Sequence, residues 1–298
     1  MDSAFMQEVR LRSEQAQASG VLLPIVAEQI VIQDGDLPFV VRWVAALAAK
    51  DAAKGGGAVS LPGGPRDPDF NPFLPPDPAL TVGPIGTHHV AILNKFPVCL
   101  YHLVLARRAF AEQLSPLEQM DFMALAQVQS ELGGLGFYNG GAAGGASQRH
   151  KHVQWIPEAA GNASLRDLRR GLPTNARLGA QARHAQLPFA HCFVRVQAGL
   201  GCEVQAAARS MHQAFEIACN ALDLTPNEDG LLPPSNMLVD DAWMLVLPRS
   251  REHFEGISLN ALSYGGTIYV RHMDQLDAIR AHGPLRALAE VGVAAHAG

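Results

Sequence analysis

The residues best suited to chemistry lie in the run Phe137-Tyr138-Asn139-Gly140-Gly141-Ala142-Ala143-Gly144-Gly145-Ala146-Ser147-Gln148-Arg149-His150-Lys151-His152-Val153-Gln154-Trp155-Ile156-Pro157. A strand from His150 to Ile156 would place His150, His152 and Gln154 on one face and Lys151, Val153 and Trp155 on the other. Neutral imidazole is nucleophilic near pH 7, so His152 can attack phosphorus if its second ring nitrogen donates to a fixed acceptor. A carbonyl of the glycine-rich turn is the expected acceptor. Gln154, Ser147 and Gln148 can donate to non-bridging phosphate oxygens. Backbone N–H groups of the Gly140 to Gly145 turn can hold phosphate without net positive charge. His150 is expected to position the strand and loop beside the nucleophile.

Two other readings compete. Histidines two apart on a strand can ligate zinc, but no third ligand has an evident position. They can also be a satisfied structural pair. A glycine-rich loop alone would mark an ordinary turn; the loop combined with three converging polar heads points to phosphorus chemistry.

These residues need a scaffold, and the flanking sequence supplies its signals. His88 to Leu93 and Leu100 to Ala106 read as neighbouring strands on either side of Asn94-Lys95-Phe96-Pro97. Ser115 and Glu118 have capping-box spacing, so a helix is expected from there to Gly133-Gly134, with Pro116 in its first turn. A second helix is expected from about Glu203 to Leu222. Met237 to Val239 and Trp243 to Leu247 suit a hairpin around Asp240-Asp241, and helical pattern resumes from Asp274. Between Gly55 and Thr87, glycine and proline exclude regular structure, and Phe70, Phe73 and Leu74 predict a docked loop rather than a spacer. Strands and helices mix without βαβ alternation. The fold class expected is therefore α+β, and no sequence repeat stands out.

With 298 residues and 48% hydrophobic content, the chain can bury a large core. The predicted division is an N-terminal catalytic region over 1–190, containing the loop 55–87, and a C-terminal region over 191–298 that completes the sheet and substrate site. The formal charge of -5 leaves no general footprint for nucleic acid. Cys99, Cys192, Cys202 and Cys219 occur singly, as core thiols do. Met1-Asp2-Ser3-Ala4 does not open a signal peptide, and no stretch is apolar for the roughly 18 residues of a membrane span. A soluble cytoplasmic protein without nucleic-acid or membrane partners is the expectation.

The runs NKFPVCLYHLVLARRAF, FYNGGAAGGASQRHKHVQ and SNMLVDDAWMLVLPRSREHFEGISLNALSYGGTIYVR resemble the ATP adenylyltransferases, the diadenosine tetraphosphate phosphorylases of the histidine triad superfamily. The similarity spans Leu37 to Gly292. The HxHxQ pattern is shared with the galactose-1-phosphate uridylyltransferases, while the flanking runs point to the adenylyl branch. The resemblance implies a histidine triad-like mixed or antiparallel sheet with flanking helices.

By that resemblance His152 is the nucleophile, Asn139 meets the nucleotide, Gly145, Ala146, Ser147 and Gln148 form the phosphate-binding turn, and Gln154 closes the site. Asn94 and Lys95 match a substrate-contacting pair. Lys50 matches an upstream basic contact, with Lys54 competing for the role. Asn260, Ala261, Leu262, Thr267 and Arg271 match substrate contacts of the C-terminal half. Arg271 stands where lysine is usual, substituting a planar fork for a point charge; Thr267 and the Ala261-Leu262 pair also depart from the family pattern.

The implied reaction is reversible cleavage of diadenosine tetraphosphate by phosphate to ATP and ADP, through adenylylated His152. No cofactor is required for the covalent step; magnesium would accompany the polyphosphate. Uridylyl transfer to a sugar phosphate and a non-catalytic nucleotide sensor are the alternatives. The lack of CxxC opposes the zinc-bearing form of the first, and the presence of His152 opposes the second.

Overall fold

The computed structural model describes residues 3–22, 28–43 and 71–295. Lys50, Lys54, Phe70 and the first part of the glycine- and proline-rich segment lie outside the described residues.

The functional strand is held in a nine-stranded sheet ordered β3-β4-β5-β7-β6-β10-β11-β9-β8, in which every neighbouring pair is antiparallel. Its strands are β3 (Thr81–Ile85), β4 (His89–Leu93), β5 (Leu103–Arg107), β6 (Leu135–Gly140), β7 (His152–Ile156), β8 (Gln181–Ala182), β9 (Cys192–Arg195), β10 (Ser235–Val239) and β11 (Trp243–Pro248). β5, β6, β7, β10 and β11 are almost wholly buried, so both sheet faces must be covered.

On one face lie α2 (Gln119–Leu132) and α3 (Val204–Ala221), which pack Phe122, Leu125, Val128, Met211 and Phe215 against Val153, Trp155, Met237 and Val246. The opposite face packs Phe137, Ile156, Leu238 and Leu245 against a three-stranded sheet and the C-terminal helices. That second sheet is built from β1 (Glu28–Asp34), β2 (Leu37–Trp43) and β14 (Thr267–Val270). The helices are α4 (Ala261–Tyr264), α5 (Met273–His282) and α6 (Pro284–Val291). Short strands β12 (His253–Phe254) and β13 (Ile257–Ser258) pair before α4, and α1 (Ala4–Ala18) contacts β3. The architecture is α+β, as the sequence predicts.

A repeat invisible in the sequence emerges from the topology. β5-α2-β6-β7 and β9-α3-β10-β11 are both strand, helix and hairpin, with the hairpin's second strand returning beside the first strand. The two units join where β6 pairs with β10. A shared burial pattern suffices to specify this arrangement, so residue identities need not repeat.

Several predicted boundaries shift for identifiable reasons. β3 occupies Thr81 to Ile85, inside the segment expected to lack regular structure. Its register slips between Thr81 and Gly83, the irregularity that lets an edge strand accommodate Gly83 and Pro84. The functional strand begins at His152 rather than His150. β5 begins at Leu103, because Leu100 to His102 form the turn into it. The C-terminal helical run is split at Gly283, whose φ is 83°.

The first helix of the sheet-covering pair starts at Gln119, with Glu118 as its cap and Asp121 completing the capping box. Ser115 plays no such part. Asp121 decides this start because it is also the hub of a buried ion network. Its carboxylate accepts from His89 Nε2 at 3.0 Å and from Arg107 Nε at 2.8 Å, and lies 3.5 Å from Lys151 Nζ. Burial alone would raise the Asp121 carboxyl, but the hydrogen bonds from His89 and Arg107 and the nearby cations hold it well below the usual carboxylate range. Lys151, on the α2 side of β7, is thereby satisfied away from the histidines.

Asp121→Asn should cost about 3–5 kcal/mol in urea unfolding at pH 7, because it leaves buried cations uncompensated. The folded pKa is depressed, so the stabilisation is complete above the unfolded value of about 3.9 and is lost as pH falls below it. Unfolding midpoints of the two proteins should accordingly begin to converge only below about pH 4 and keep converging as pH falls toward the depressed folded value; a constant difference would contradict this electrostatic account.

Candidate active site

The hairpin β6-β7 opens toward the site. Direct pairing ends at Phe137 opposite Gln154, and the buried Gln113 side chain fills the gap beyond. Gln113 Oε1 accepts from the backbone N–H of His152 at 2.8 Å, while its Nε2 donates to the carbonyls of Asn139 at 2.9 Å and His152 at 3.1 Å. One amide thus ties together the backbones that carry Asn139 and His152.

His152 is buried and donates from Nδ1 to the His150 carbonyl at 2.8 Å. A carbonyl can only accept, so the proton sits on Nδ1 and the Nε2 lone pair is left available. The acceptor belongs to the histidine two residues earlier, a correction to the expectation of a glycine-turn carbonyl. Burial pushes the His152 pKa down to about 4, with the His150 carbonyl opposing and the nearby His150 ring reinforcing the shift. His152 is therefore a neutral imidazole at pH 7. The Phe73 ring lies 5.1 Å from it, docking the described end of the glycine- and proline-rich segment onto the site, whereas Leu74 is exposed.

His150 has no free nitrogen. Nε2–H donates to the Arg107 carbonyl at 2.7 Å, and Nδ1 accepts from Asn71 Nδ2 at 2.9 Å. It precedes the strand, in a bridge to Glu112, so its ring is part of the wall beside His152.

Two amides complete this face, and both have their oxygens occupied. Gln154 Oε1 lies 2.9 Å from Nε2 of His102, a buried histidine that the sequence reading did not single out. Asn139 Oδ1 accepts from the backbone N–H of Ala261 at 2.9 Å and from Asn236 Nδ2 at 3.1 Å. Asn236 is held in turn by the buried Arg249, whose Nη1 donates to its Oδ1 at 2.5 Å. The NH2 groups of Gln154 and Asn139 have no partner among the described residues, and they are the groups able to donate to phosphate oxygens.

In the glycine-rich turn, the N–H groups of Gly144, Gly145 and Ala146 donate to Gly141 or Ala142 carbonyls at 3.0 Å. Gly145 and Ala146 therefore have no backbone donor to offer phosphate, contrary to expectation. The N–H groups of Ser147 and Gln148 have no acceptor among the described residues, so they are the backbone donors of this turn that remain open.

This geometry combines a free imidazole lone pair and two donor-first amides on one buried sheet face, with an unsatisfied turn edge in the loop that leads into it. A family model described as Ap4A phosphorylase N-terminal domain matches residues 1–167, more than half of the chain. The chain belongs to the Ap4A phosphorylase family. A second family model, ATP adenylyltransferase C-terminal domain, matches residues 185–294. The diadenosine tetraphosphate phosphorylase 2 of Saccharomyces cerevisiae is 29% identical over 236 residues, 70% of each protein. The Protein APA1 of the same organism is 26% identical over 223 residues, 68% of this chain and 69% of that protein. The crystal structure of the yeast Ap4A phosphorylase Apa2 in complex with AMP has the same fold, with a TM-score of 0.79 at 23% identity, covering 100% of this chain and 99% of that one.

The remaining predicted contacts of this Ap4A phosphorylase family member divide by location. Lys95 is exposed beside Asn94, whose Oδ1 accepts from the Phe96 N–H at 3.0 Å and whose Nδ2 approaches the His102 ring. The C-terminal residues each have a defined place in the fold. Asn260 Oδ1 caps α4 by accepting from Leu262 N–H at 3.0 Å, and the Leu262 side chain is buried in the core. Ala261 acts through its backbone on Asn139. Thr267 is buried with its hydroxyl donating to the Gly161 carbonyl at 3.4 Å. Thr267 lies on β14 of the second sheet, which packs against the face of the main sheet that His152 and Gln154 share with Ile156, and Arg271 directly follows β14. Gln113, His102, Asn236 and Arg249 went unrecognised; His102 and Arg249 carried the available signal, each a polar side chain beside an apolar strand run.

The turn and α4 are packed closely at Gly145, where φ is 87° and an added Cβ would lie 2.7 Å from Asn260 Cβ. Gly201, with φ 75° and open space around it, isolates the backbone contribution. Gly201→Ala should cost about 1 kcal/mol from its φ alone. Gly145→Ala should cost about 1–3 kcal/mol more because α4 must shift. Equal urea midpoints for the two variants would contradict the close packing.

Proposed function

We propose that this protein cleaves diadenosine tetraphosphate with inorganic phosphate, reversibly yielding ATP and ADP, through adenylylated His152. The hydrogen bond from His152 Nδ1 to the His150 carbonyl carries this reading, because it frees Nε2 for attack. Membership of the Ap4A phosphorylase family supports the choice of adenylyl over uridylyl transfer, and the similarity to the yeast diadenosine tetraphosphate phosphorylase 2 supports the substrate.

In the first step the Nε2 lone pair bonds to the α-phosphorus as the bond to the bridging oxygen breaks and ATP leaves with that electron pair. The positive charge on the substituted imidazole is stabilised by the His150 carbonyl at Nδ1–H. Gln154 and Asn139 donate to the non-bridging oxygens as charge accumulates there. In the second step an oxygen of inorganic phosphate attacks the adenylyl group, the nitrogen–phosphorus bond breaks, and ADP leaves with His152 neutral again. Lys95, Lys50 and Arg271 are assigned to the polyphosphate charge. The covalent steps route no proton through a metal; magnesium is assigned only as a companion of the polyphosphate.

His152→Ala should abolish turnover while leaving nucleotide binding within a few-fold of wild type. Mass spectrometry of wild type with diadenosine tetraphosphate alone should find an adenylylated protein that phosphate discharges to ADP. Prompt release of AMP without phosphate would refute the two-step scheme.

The acid limb tests the protonation state. Because burial holds His152 near a pKa of about 4, the single-turnover rate of adenylylation should stay level from pH 7 to about 5 and fall as pH drops through about 4. An ordinary histidine would already lose half its rate near pH 6.5.

A further inference from the structure

Gln154 must present its NH2 group to an anionic phosphate, since the reversed amide would set an oxygen against it. The backbone fixes the direction. Val98 N–H points at His102 Nδ1 at 3.5 Å, a long contact from a group that can only donate. The ring proton of neutral His102 therefore sits on Nε2, which lies 2.9 Å from Gln154 Oε1. The ring is held from other sides too. Asn94 Nδ2 lies 3.3 and 3.4 Å from its two nitrogens, and Phe137, the register partner of Gln154, packs 5.7 Å from its centroid. Burial pushes the His102 pKa down to about 4, so it stays neutral in the working pH range and keeps a single proton for this bond.

We propose that His102 is a positioning residue for adenylyl transfer, whose Nε2–H holds the Gln154 oxygen so that the amide meets phosphate with its NH2. It acts through Gln154 and takes no part in bond making. The proposal rests on the phosphorolysis reading above.

The test is a double-mutant cycle with diadenosine tetraphosphate and phosphate. His102→Ala frees the amide to rotate and should lower kcat about 100-fold, the typical loss for one oriented donor, with KM changed by no more than a few-fold. His102→Gln restores a side-chain donor to the same oxygen and should recover much of the rate. In a Gln154→Met background, which has no amide to orient, His102→Ala should have no further effect. An equally large loss in that background would show a general structural role and overturn the proposal.

Nitrogen-15 spectroscopy of the wild-type protein gives a readout independent of turnover. His102 should show the Nε2–H tautomer with a hydrogen-bonded proton, and Gln154→Met should move that signal. An Nδ1–H tautomer would overturn the proposal even if phosphorolysis occurs. The expected tautomer in a protein that performs no phosphorolysis would leave the His102–Gln154 geometry standing and sink the reaction assigned to it.

Discussion

A histidine becomes a usable nucleophile only when one nitrogen is fixed as a donor and the other is left unsatisfied, and the bond from His152 Nδ1 to the His150 carbonyl at 2.8 Å sets that division. Much of the surrounding structure maintains it. The His150 carbonyl can face the ring because Gln113 holds the His152 backbone, and because Arg107 and Asn71 occupy both nitrogens of His150. The Asp121 network behind the sheet anchors Arg107 and Lys151 on either side of this segment. His191 shows the contrasting case. It also donates from Nδ1 to the carbonyl two residues earlier, at 2.8 Å, but its Nε2 accepts the His184 backbone N–H at 2.9 Å. The first half of the arrangement is shared; the second makes His191 a satisfied core histidine.

The site is built to donate. Carbonyl oxygens and amide oxygens near a phosphate would repel it, and here they are withdrawn into hydrogen bonds with His102, Asn236 and the Ala261 backbone. The donors are oriented before substrate arrives, so little reorganisation remains at the moment of reaction. Arg249 extends this order across the halves of the chain. Its guanidinium holds Asn236 on β10 and the carbonyls of Leu259 and Val291, and so couples the entrance to α4 to the same amide chain that orients Asn139.

Local rules made much of this legible. Alternation placed Lys151, Val153 and Trp155 together on the helix-covered face, and helical periodicity placed α3 between about Glu203 and Leu222. What stayed hidden depends on contacts between distant segments. Ser115 and Glu118 satisfy the capping-box pattern as written, but Asp121 is committed to His89 and Arg107, which no local pattern reveals. The glycine run correctly signals a close turn, yet which N–H groups remain open depends on its internal hydrogen bonds. Asn260 and Leu262 resemble substrate contacts in sequence, while their side chains serve a helix cap and the core.

Under the proposed two-step scheme, the hydrogen-bond partners of these side chains also bear on which acceptor can discharge an adenylylated His152. Water must lose a proton as it bonds to phosphorus, whereas inorganic phosphate brings an oxygen that is already anionic. A base for water would need a free lone pair near the adenylyl group. His150 has both nitrogens filled, His102 directs its Nε2 proton at Gln154 and its Nδ1 lone pair toward Val98, and His152 itself is occupied by the adenylyl group. Gln154 offers an amide NH2, which cannot take a proton at neutral pH. In the proposed scheme these histidines therefore furnish the nucleophile and align its neighbours without leaving a histidine base for water among them, and an acceptor that supplies its own negative charge is favoured at the step that decides the product.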